Sequence, residues 1–429
     1  MTDTFDCKEI SVDVAVIGAG PAGLAAAVAA KEAGAARVLV LERDAAAGGI
    51  LQQCIHPGFG LTLFKQELTG PEYAGIYIDR AKTADVVIQT NTMVLSVSAN
   101  KEILCAANGE MTRVRAKSVV LAMGCRERTR GNITIPGTRP AGVFTAGTAQ
   151  RLLNRQGILP GRRVVIVGSG DIGMIMARRL SLEGVKVEAV VELMDYLAGL
   201  TRNYVQCLQD FNIPLMLSHT VTQIHGTERV EGVTIAQVDE KLQPVKETGR
   251  RIDCDTVLFS VGLIPENELS RSSGVALSPV TNGPLVNQHM QTSVPGIFAC
   301  GNVTHVNDLA DNVSLESERA GRFAAAYAAG NAPAALQSLP TEAGGNVRYI
   351  CPQSVDVCAD AADATLFFRV ARPVGGSAAI VVTSGGQELL RKRVKRLNPG
   401  EMEQVTISGA ALAKLTQPIR IDIETEAAR

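Results

Sequence analysis

The order of apolar and polar positions repeats once along the chain. Val12–Ile17 is a short apolar run of the kind that forms a buried strand, and the Ala-rich stretch Leu24–Ala33 predicts a helix. The apolar run Arg37–Leu41 predicts the next strand. The same order returns later, as the strand Val164–Val167, a helix that ends at Leu182 and the strand Val185–Val191. The pattern therefore predicts two units, each built from a strand, a helix and a strand.

The remaining apolar patterns are short and alternating. Between residues 83 and 120, β-branched runs on either side of Asn108-Gly109 predict strands and hairpins appended to the first unit. Residues 331–347 contain several prolines and glycines and predict a linker. The alternation over Thr365–Ile421 predicts a small C-terminal β-module. Its turns are expected at the glycine pairs 375–376 and 385–386.

Each copy of the repeat carries a GxGxxG motif between its first strand and its helix. The two motifs are Gly18-Ala19-Gly20-Pro21-Ala22-Gly23 and Gly168-Ser169-Gly170-Asp171-Ile172-Gly173. In such a motif the first glycine permits the tight turn, the second lets backbone N–H groups approach a pyrophosphate, and the third allows close packing of the helix. An acid follows the third glycine by nineteen positions in both copies, as Glu42 and as Glu192. Strand, helix and acid together predict two dinucleotide sites.

The surroundings of each acid indicate the occupant. Glu42, followed by Arg43, is placed to bind an adenosine ribose, and Gly48-Gly49 offers a second close approach of backbone to cofactor. FAD is the expected occupant of such an N-terminal unit. Glu192 would accept a hydrogen bond from a ribose 2′-hydroxyl and repel a 2′-phosphate, which favours NAD(H) over NADP(H). The alternative is that the second site has lost its ligand or holds another adenine nucleotide.

Composition limits the class of protein. At 429 residues the chain exceeds one hydrophobic core. Its 46% hydrophobic residues, 20% charged residues and 41 glycines fit an α/β enzyme and exclude a disordered chain. The formal charge of -1 gives no general attraction to nucleic acid or anionic membranes. The N-terminus lacks a signal pattern and Val14–Ala30 is interrupted by glycines, so we expect a cytoplasmic protein with no membrane span and no nucleic-acid partner.

Three further segments resemble a known superfamily. They are Leu121–Gly124, Val257–Pro265 and Thr292–Val303. With the two motifs, they resemble the pyridine nucleotide-disulfide oxidoreductases, whose FAD domain is split by an inserted NAD domain. The resemblance implies that Gly124, Gly301 and Asn302 contact FAD. The family usually has Asp where this chain has Asn302, so the contact would keep its hydrogen bond and lose its charge.

The resemblance implies an α/β fold with two Rossmann-like dinucleotide-binding domains, arranged as in glutathione reductase, plus the small C-terminal β-module. We expect the first part of the FAD domain at residues 1–150 and the NAD domain at 151–258. The second part of the FAD domain is expected at 259–335, and the C-terminal module at 345–429.

Four segments are closer to a subgroup without the redox disulfide. They are Gly48–Ala74, Gly124–Arg128, His305–Glu318 and Arg348–Val355. This subgroup is associated with glycerol-3-phosphate dehydrogenase and with amine or imino-acid dehydrogenase complexes. It implies an oxidoreductase that moves electrons between NAD(H), FAD and a partner dehydrogenase, an electron carrier or a small substrate, with a link to glycerol 3-phosphate oxidation as the finer expectation.

Three hypotheses about the function fit these sequence features. The first is the oxidoreductase just described. The second is an FAD-containing subunit of an amine or amino-acid dehydrogenase complex, with a structural second nucleotide site. The third is a redox sensor whose flavin reports NADH to a partner. Whether the chain forms a homo-oligomer is left open.

The thiols and His305 are the candidate catalytic groups. The nine cysteines form no CxxC pair and no cluster at metal-ligand spacing, which predicts reduced thiols and no metal. Cys54 beside His56 could act as a one-cysteine redox centre, but a packing or flavin-lining role is the favoured interpretation. Cys351 and Cys358 are too few to hold an iron–sulfur cluster. The segment Thr292–Val303 resembles the second FAD motif of the family and is named here the second FAD segment. His305, just after it, is a candidate for lining the flavin, with a structural role as the alternative.

Overall fold

The computed structural model describes residues 7–358 and 362–425. In chain order the described strands are β1 (Lys8–Ile17), β2 (Val38–Leu41), β3 (Pro57–Phe59), β4 (Leu68–Thr69), β5 (Val87–Gln89), β6 (Thr92–Val97), β7 (Glu102–Ala107), β8 (Glu110–Leu121), β9 (Cys125–Glu127), β10 (Val143–Thr145), β11 (Arg163–Val167), β12 (Lys186–Val191), β13 (Leu215–Met216), β14 (His219–His225), β15 (Gly232–Gln237), β16 (Arg250–Ile252), β17 (Thr256–Phe259), β18 (Leu263–Pro265), β19 (Ile297–Ala299), β20 (Gln337–Ala343), β21 (Val347–Cys351), β22 (Ser354–Val357), β23 (Ala364–Val370), β24 (Val374–Ser384), β25 (Gln387–Leu397), β26 (Glu403–Ile407) and β27 (Ile419–Thr425).

The described α-helices are α1 (Pro21–Glu32), α2 (Gly70–Thr83), α3 (Arg130–Ile133), α4 (Ala146–Gln156), α5 (Asp171–Leu182), α6 (Thr201–Tyr204), α7 (Glu268–Ser272), α8 (Ala310–Ala328) and α9 (Gly409–Leu412). Short 3₁₀ turns lie at Gly49–Gln53, Lys246–Thr248 and Gly301–Val303. None of these helices is both long and apolar enough to cross a membrane.

The chain folds into two compact units. Unit 1 contains the described residues of Met1–Cys125, Pro265–Asn398 and Met402–Arg429, and unit 2 contains Arg126–Ile264 with Pro399–Glu401. The chain therefore leaves unit 1 after its first third and later returns to it. This is the order of an α/β domain split by an insertion, and the predicted fold class is confirmed.

Unit 1 is built on a seven-stranded sheet. Its strand order is β5-β2-β1-β8-β7-β6, with β19 also paired to β8. Strands β5, β2, β1, β8 and β19 are parallel, whereas β7 pairs antiparallel with β8 and β6 pairs antiparallel with β7. Helices α1 and α8 cross closely, because a Cβ on Gly321 would lie 2.0 Å from the carbonyl oxygen of Ala26. Only glycine allows the two helix backbones to approach to this distance.

Local signals explain two further elements of unit 1. Asn108 and Gly109 have φ angles of 51° and 83° and join β7 to β8, as the two positive φ angles of a type I′ hairpin turn require. Helix α2 was not predicted from the apolar pattern. Its start was nevertheless marked in the sequence, since Thr69 and Glu72 form a capping box and a proline stands in the first turn.

Unit 2 has a five-stranded parallel sheet in the order β10-β17-β11-β12-β13 and a separate antiparallel sheet of β14, β15 and β16. Helix α5 packs on the parallel sheet through buried Met174, Ala177 and Leu180. Because β11, α5 and β12 follow one another, unit 2 repeats the β1, α1 and β2 order of unit 1. This confirms the repeat that the apolar pattern predicted.

The C-terminal part of unit 1 is a β-module, as predicted. It has one sheet in the order β22-β20-β27-β24-β25 and one in the order β21-β23-β26, with a core that includes Phe368, Ile380 and Val382. The turn at 385–386 is present between β24 and β25.

Two local predictions for this module were wrong. The segment 331–347 contains β20 and is not wholly a linker; Pro340 is tolerated because β20 pairs with β22 up to that residue and with β27 only beyond it. The glycines at 375–376 make no turn, because they lie within β24 where its register against β25 shifts.

Candidate functional site

The first glycine-rich turn joins β1 to α1. Gly18 has a φ of +102°, and a Cβ there would lie 2.5 Å from the carbonyl oxygen of Ala122. A Cβ on Gly23 would lie 1.7 Å from the carbonyl oxygen of Gly18. A Cβ on Gly20 would meet none of the described residues within 4 Å, apart from its chain neighbours. The outer two glycines are therefore fixed by packing, and the middle one faces the open space that a pyrophosphate needs.

Glu42 closes this turn. It follows β2 directly, and only 7% of the residue is exposed. Its Oε2 accepts a hydrogen bond from the backbone N–H of Ala19 at 2.7 Å, and its Oε1 accepts one from Asp44 N–H at 2.8 Å. A carboxylate has about four acceptor positions, so it retains capacity for a ribose hydroxyl. Arg43, the next residue, is exposed.

Two more predicted segments meet the start of α1. A Cβ on Gly49 would lie 2.9 Å from the Cα of Gly20, and the preceding Gly48 has a φ of +112°. A Cβ on Gly301 would lie 2.7 Å from the Cβ of Ala22. The structure thus brings three segments together around the N-terminus of α1, although Ala22 and Gly301 are far apart in the sequence.

Asn302 and Gly124 lie near these segments. The Asn302 Nδ2 is 3.7 Å from Cys125 Sγ, and its Oδ1 accepts a hydrogen bond from Asn307 N–H at 2.9 Å. Gly124 has a φ of +72° and accepts a hydrogen bond from Glu266 N–H at 3.0 Å. The amide of Asn302 is therefore oriented from both ends by the protein.

Sequence reasoning missed Asp311, in the first turn of α8. Its buried carboxylate accepts hydrogen bonds from the backbone N–H groups of Gly60, Thr62 and Leu63, at 3.1, 2.7 and 3.1 Å. The loop between β3 and β4 is thereby anchored to α8. No local signal could have identified these partners, since they precede Asp311 by about 250 positions.

The second glycine-rich turn joins β11 to α5 in unit 2. Gly168 has a φ of +93°, and a Cβ there would lie 2.2 Å from the carbonyl oxygen of Ser260. The Ser260 side chain also supports the helix start, because its Oγ accepts a hydrogen bond from Gly173 N–H at 3.0 Å. A Cβ on Gly170 would lie 3.1 Å from the same Oγ. Ser260, which sequence reasoning also missed, thus underlies the whole turn.

Glu192 repeats the arrangement of Glu42. It follows β12, and only 5% of the residue is exposed. Its Oε2 accepts hydrogen bonds from Ser169 N–H and Ser169 Oγ–H, both at 2.7 Å, and its Oε1 accepts one from Met194 N–H at 2.9 Å. The same geometry in two units places a buried carboxylate against each glycine-rich turn.

Two other predicted residues of the second motif act within unit 2. The Asp171 Oδ1 accepts hydrogen bonds from Leu200 N–H at 2.9 Å and from Asn203 Nδ2 at 2.6 Å, so it holds the loop that follows β12. Ile172 is half-buried against the core of the unit.

Cys54 is buried next to Gly70 at the start of α2, whose N–H donates a hydrogen bond to the carbonyl oxygen of Cys54 at 2.8 Å. The residue is 4% exposed, and its Sγ lies 3.3 Å from the carbonyl oxygen of Ile50. Burial raises the pKa of the Cys54 thiol to about 12, so it is protonated at neutral pH. All nine cysteines belong to the described residues and are free thiols, and seven of them are buried. This geometry favours the packing interpretation of Cys54.

His305 is buried within unit 1. Its Nε2 is 2.8 Å from Glu316 Oε2, and its ring lies near those of Tyr349 and Phe367, which belong to the C-terminal module. Burial alone lowers the pKa of His305, but neighbouring Cys351 and Glu316 raise it well above its usual range. The His305 ring is thus bonded through Nε2 to a buried carboxylate, while its buried Nδ1 has no hydrogen-bond partner among the described residues.

The C-terminal module also contacts the loop that follows the second FAD segment. Arg369 of β23 forms an ion pair with Asp308, and its Nη2 donates to the carbonyl oxygen of Val306 at 3.1 Å. Asp308 also accepts a hydrogen bond from Met402 N–H at 2.6 Å. The module is thus fixed to the loop on which His305 lies.

Several known proteins are similar to this chain in sequence. The model of the family described as pyridine nucleotide-disulphide oxidoreductase matches residues 12–331. The chain is 31% identical to the biphenyl dioxygenase system ferredoxin--NAD(+) reductase component of Paraburkholderia xenovorans, over 68% of this chain and 67% of that protein. It is 25% identical to the hydrogen cyanide synthase subunit HcnB of Pseudomonas protegens, over 68% of this chain and 66% of that protein. The chain thus spans about two thirds of these relatives.

A solved structure shows the same fold. The thioredoxin reductase of T. acidophilum is 27% identical, with a TM-score of 0.62, and the match covers 75% of this chain and 99% of that protein. The family match takes in both glycine-rich turns, both glutamates and the segment at Gly301. The chain therefore belongs to the pyridine nucleotide-disulphide oxidoreductase family, whose members bind FAD and NAD(P)H.

Proposed function

We propose that this protein is an FAD-dependent oxidoreductase that moves electrons between NAD(H) and a partner redox protein or a small substrate. The observation that carries the proposal is the repeated geometry of the two units. In each unit a glycine-rich turn is closed by a buried glutamate, Glu42 in unit 1 and Glu192 in unit 2. Two such turns supply two dinucleotide sites in one chain.

In this proposal unit 1 holds FAD. The open face of Gly20 admits the pyrophosphate, and the backbone N–H groups at the start of α1 offer donors and a partial positive charge to it. Glu42 accepts hydrogen bonds from the adenosine ribose. The segments at Gly49 and Gly301 pack against the same start of α1, so residues from three parts of the chain surround the proposed FAD site. When bound, the flavin supplies the redox chemistry itself.

Unit 2 holds NAD(H) in this proposal. A 2′-phosphate at the ribose position would lie against the buried carboxylate of Glu192, and the two negative charges would repel each other. A ribose 2′-hydroxyl can instead donate to it. Glu192 therefore discriminates against NADP(H) by charge and in favour of NAD(H) by hydrogen bonding.

The thiol geometry supports electron transfer without a dithiol relay. Burial raises the pKa of the Cys54 thiol to about 12, so it is protonated at neutral pH and is a poor nucleophile. We propose that Cys54 takes no part in electron transfer, and that FAD held by unit 1 would supply the electron transfer to a separate acceptor. The name of the Paraburkholderia relative, a ferredoxin--NAD(+) reductase component, supports an acceptor that is a protein.

Anaerobic titration of the purified protein tests this function. We expect a yellow protein whose FAD absorbance is bleached by stoichiometric NADH and restored by an artificial electron acceptor. A protein that neither contains nor takes up FAD would refute the proposal. Bleaching that no acceptor reverses would instead favour the redox-sensor reading.

A second candidate is a subunit of a larger dehydrogenase, with a purely structural second nucleotide site. It is favoured by the relative that is a hydrogen cyanide synthase subunit. An FAD-containing protein that NADH does not bleach, and that co-purifies with a stoichiometric partner, would support it. The link to amine or amino-acid substrates and the link to glycerol 3-phosphate both stay predictions, and neither relative named above carries the latter in its name.

A further inference from the structure

We propose that His305 and Glu316 form a buried positioning pair that holds the Gly301–Asn302 segment in the geometry that binds FAD. The inference deepens the proposed function and rests on unit 1 holding FAD. Neither residue needs to touch the cofactor. They act through the backbone of Gly301.

Glu316 joins α8 to this segment. Its Oε1 accepts a hydrogen bond from Gly301 N–H at 2.7 Å and is 3.4 Å from Thr304 Oγ1. Its Oε2 is bonded to His305 Nε2 at 2.8 Å. One carboxylate thus bonds at both ends of the segment from Gly301 to His305.

The position of Gly301 determines whether the FAD site is complete. Gly301 has a φ of +73° and lies against Ala22 in the first turn of α1. The first glycine-rich turn belongs to the same helix start. A small shift of Gly301 therefore changes how the second segment meets the cofactor-binding end of α1.

The charge of the pair explains why both partners are needed. Glu316 is 2% exposed, and a buried carboxylate without a cation is strongly destabilising. His305 donates a hydrogen bond from Nε2 to this carboxylate at 2.8 Å, and its own side chain is also fully buried. Arg319 lies one turn further along α8. Burial lowers the pKa of the Arg319 guanidinium, and the nearby Glu316 carboxylate partly offsets this lowering. Without His305 the Glu316 carboxylate would move toward another hydrogen-bond donor, and its bond to Gly301 N–H would weaken.

A metal centre is the alternative reading of this cluster. Ligand atoms of His305, Glu316 and Cys351 lie within 4.8 Å of one another. A metal requires a neutral histidine with a free ring nitrogen facing it. Here the Nε2 is bonded directly to Glu316 at 2.8 Å, which favours the pair, whereas the buried Nδ1 has no hydrogen-bond partner among the described residues. Elemental analysis of the purified protein therefore decides between the pair and a metal.

The test measures FAD affinity of the deflavinated full chain by quenching of flavin fluorescence. We expect His305→Gln to weaken FAD binding about tenfold to a hundredfold, because a neutral amide gives the buried Glu316 carboxylate a weaker hydrogen bond than the imidazole ring does. The double variant His305→Gln/Glu316→Gln should recover most of this loss, since two neutral amides can bond to each other and to Gly301. If His305→Gln acted through a general packing defect, the second substitution would weaken FAD binding further.

Glu318→Gln is the matched control. Glu318 lies on the same helix and accepts a hydrogen bond from Tyr77 Oη–H at 3.0 Å, away from Gly301. We expect its FAD affinity to stay within about threefold of that of the unmodified protein, the scale of one part-buried hydrogen bond that does not reach Gly301. Thermal unfolding of each apoprotein shows whether the variants fold.

Three outcomes would overturn the pairing. They are an unchanged FAD affinity in His305→Gln, no recovery in the double variant, and a stoichiometric metal found by elemental analysis that is lost in His305→Gln. If the unmodified protein itself fails to bind FAD, the proposed function fails instead, so the two failures are distinguishable.

Discussion

The two glycine-rich turns have the same backbone path but are held by different chemistry. In unit 1 the first and third glycines pack against backbone carbonyl oxygens, of Ala122 and of Gly18. In unit 2 the Ser260 side chain takes part, with its hydroxyl bonded to Gly173. Backbone contacts cannot be altered by substitution, whereas a side-chain contact can. The first turn is therefore constrained to one geometry, and the second can be adjusted by single residues.

The residue after the middle glycine shows the same contrast. Unit 1 has Pro21 there, whose fixed φ suits the first position of α1 and which makes no side-chain bond. Unit 2 has Asp171, which bonds to the loop at Leu200 and Asn203. The second turn is thus coupled to a loop and the first is not coupled in this way. Five substitutions and one control variant test how far this difference extends.

The largest effect is expected from a side chain on the middle glycine. Gly20→Val should yield a folded protein without flavin, because the added side chain enters the open space beside α1 and not the core. Gly170→Val should retain the flavin and lose its reduction by NADH. Absorbance spectra and anaerobic titration measure both. Retention of FAD by the Gly20 variant would show that this turn does not bind the cofactor.

Glu192 should determine the choice of nicotinamide. We expect the unmodified protein to be reduced by NADH with a kcat/KM at least about tenfold above that for NADPH, because like charges repel. Glu192→Ala should lower the ratio of kcat/KM for NADH to kcat/KM for NADPH, mainly by raising the value for NADPH. Stopped-flow reduction with both nucleotides measures it. Equal values for both nucleotides in the unmodified protein would contradict the assignment.

Ser260 should affect only the second turn. Ser260→Ala removes the hydrogen bond to Gly173 N–H, and we expect half-maximal flavin reduction to need about three to ten times more NADH, the scale of one such bond. The flavin content should not change. Ser272→Ala, which removes an exposed hydroxyl bonded to Leu269, is the control. A loss of flavin in Ser260→Ala would mean that the two turns are not independent.

Cys54 should give the smallest effect. Cys54→Ser should change electron transfer from NADH to a dye by less than about threefold, since catalytic groups contribute about a hundredfold or more. With its pKa raised to about 12, the thiol is protonated below that pH. Stability from the buried neutral thiol should therefore be lost only between the ordinary thiol pKa of 9.0 and about 12, as pH rises. A rate profile with an inflection near pH 7 that disappears in Cys54→Ser would show a reactive thiolate.

The two motifs and their acids could be predicted because each is a local pattern. Glycine spacing, flanking apolar runs and the distance to Glu42 or Glu192 all lie within one short segment. Glu316, Asp311 and Ser260 could not be predicted in this way. Their roles arise where distant segments meet, and a charged or hydroxyl residue in a helix or after a strand carries no local mark of such a partner. The expected domain boundaries and the roles of the site residues stay predictions.

The contact between Arg369 and Asp308 has a consequence for the order of synthesis. The second FAD segment emerges from the ribosome well before β21 and β23, which supply Tyr349, Phe367 and Arg369 around His305 and its loop. Until those strands have emerged, the His305 ring lacks the cover that they provide. The cofactor site is therefore completed late, and a released chain truncated near residue 340 should hold FAD less tightly than the full chain does.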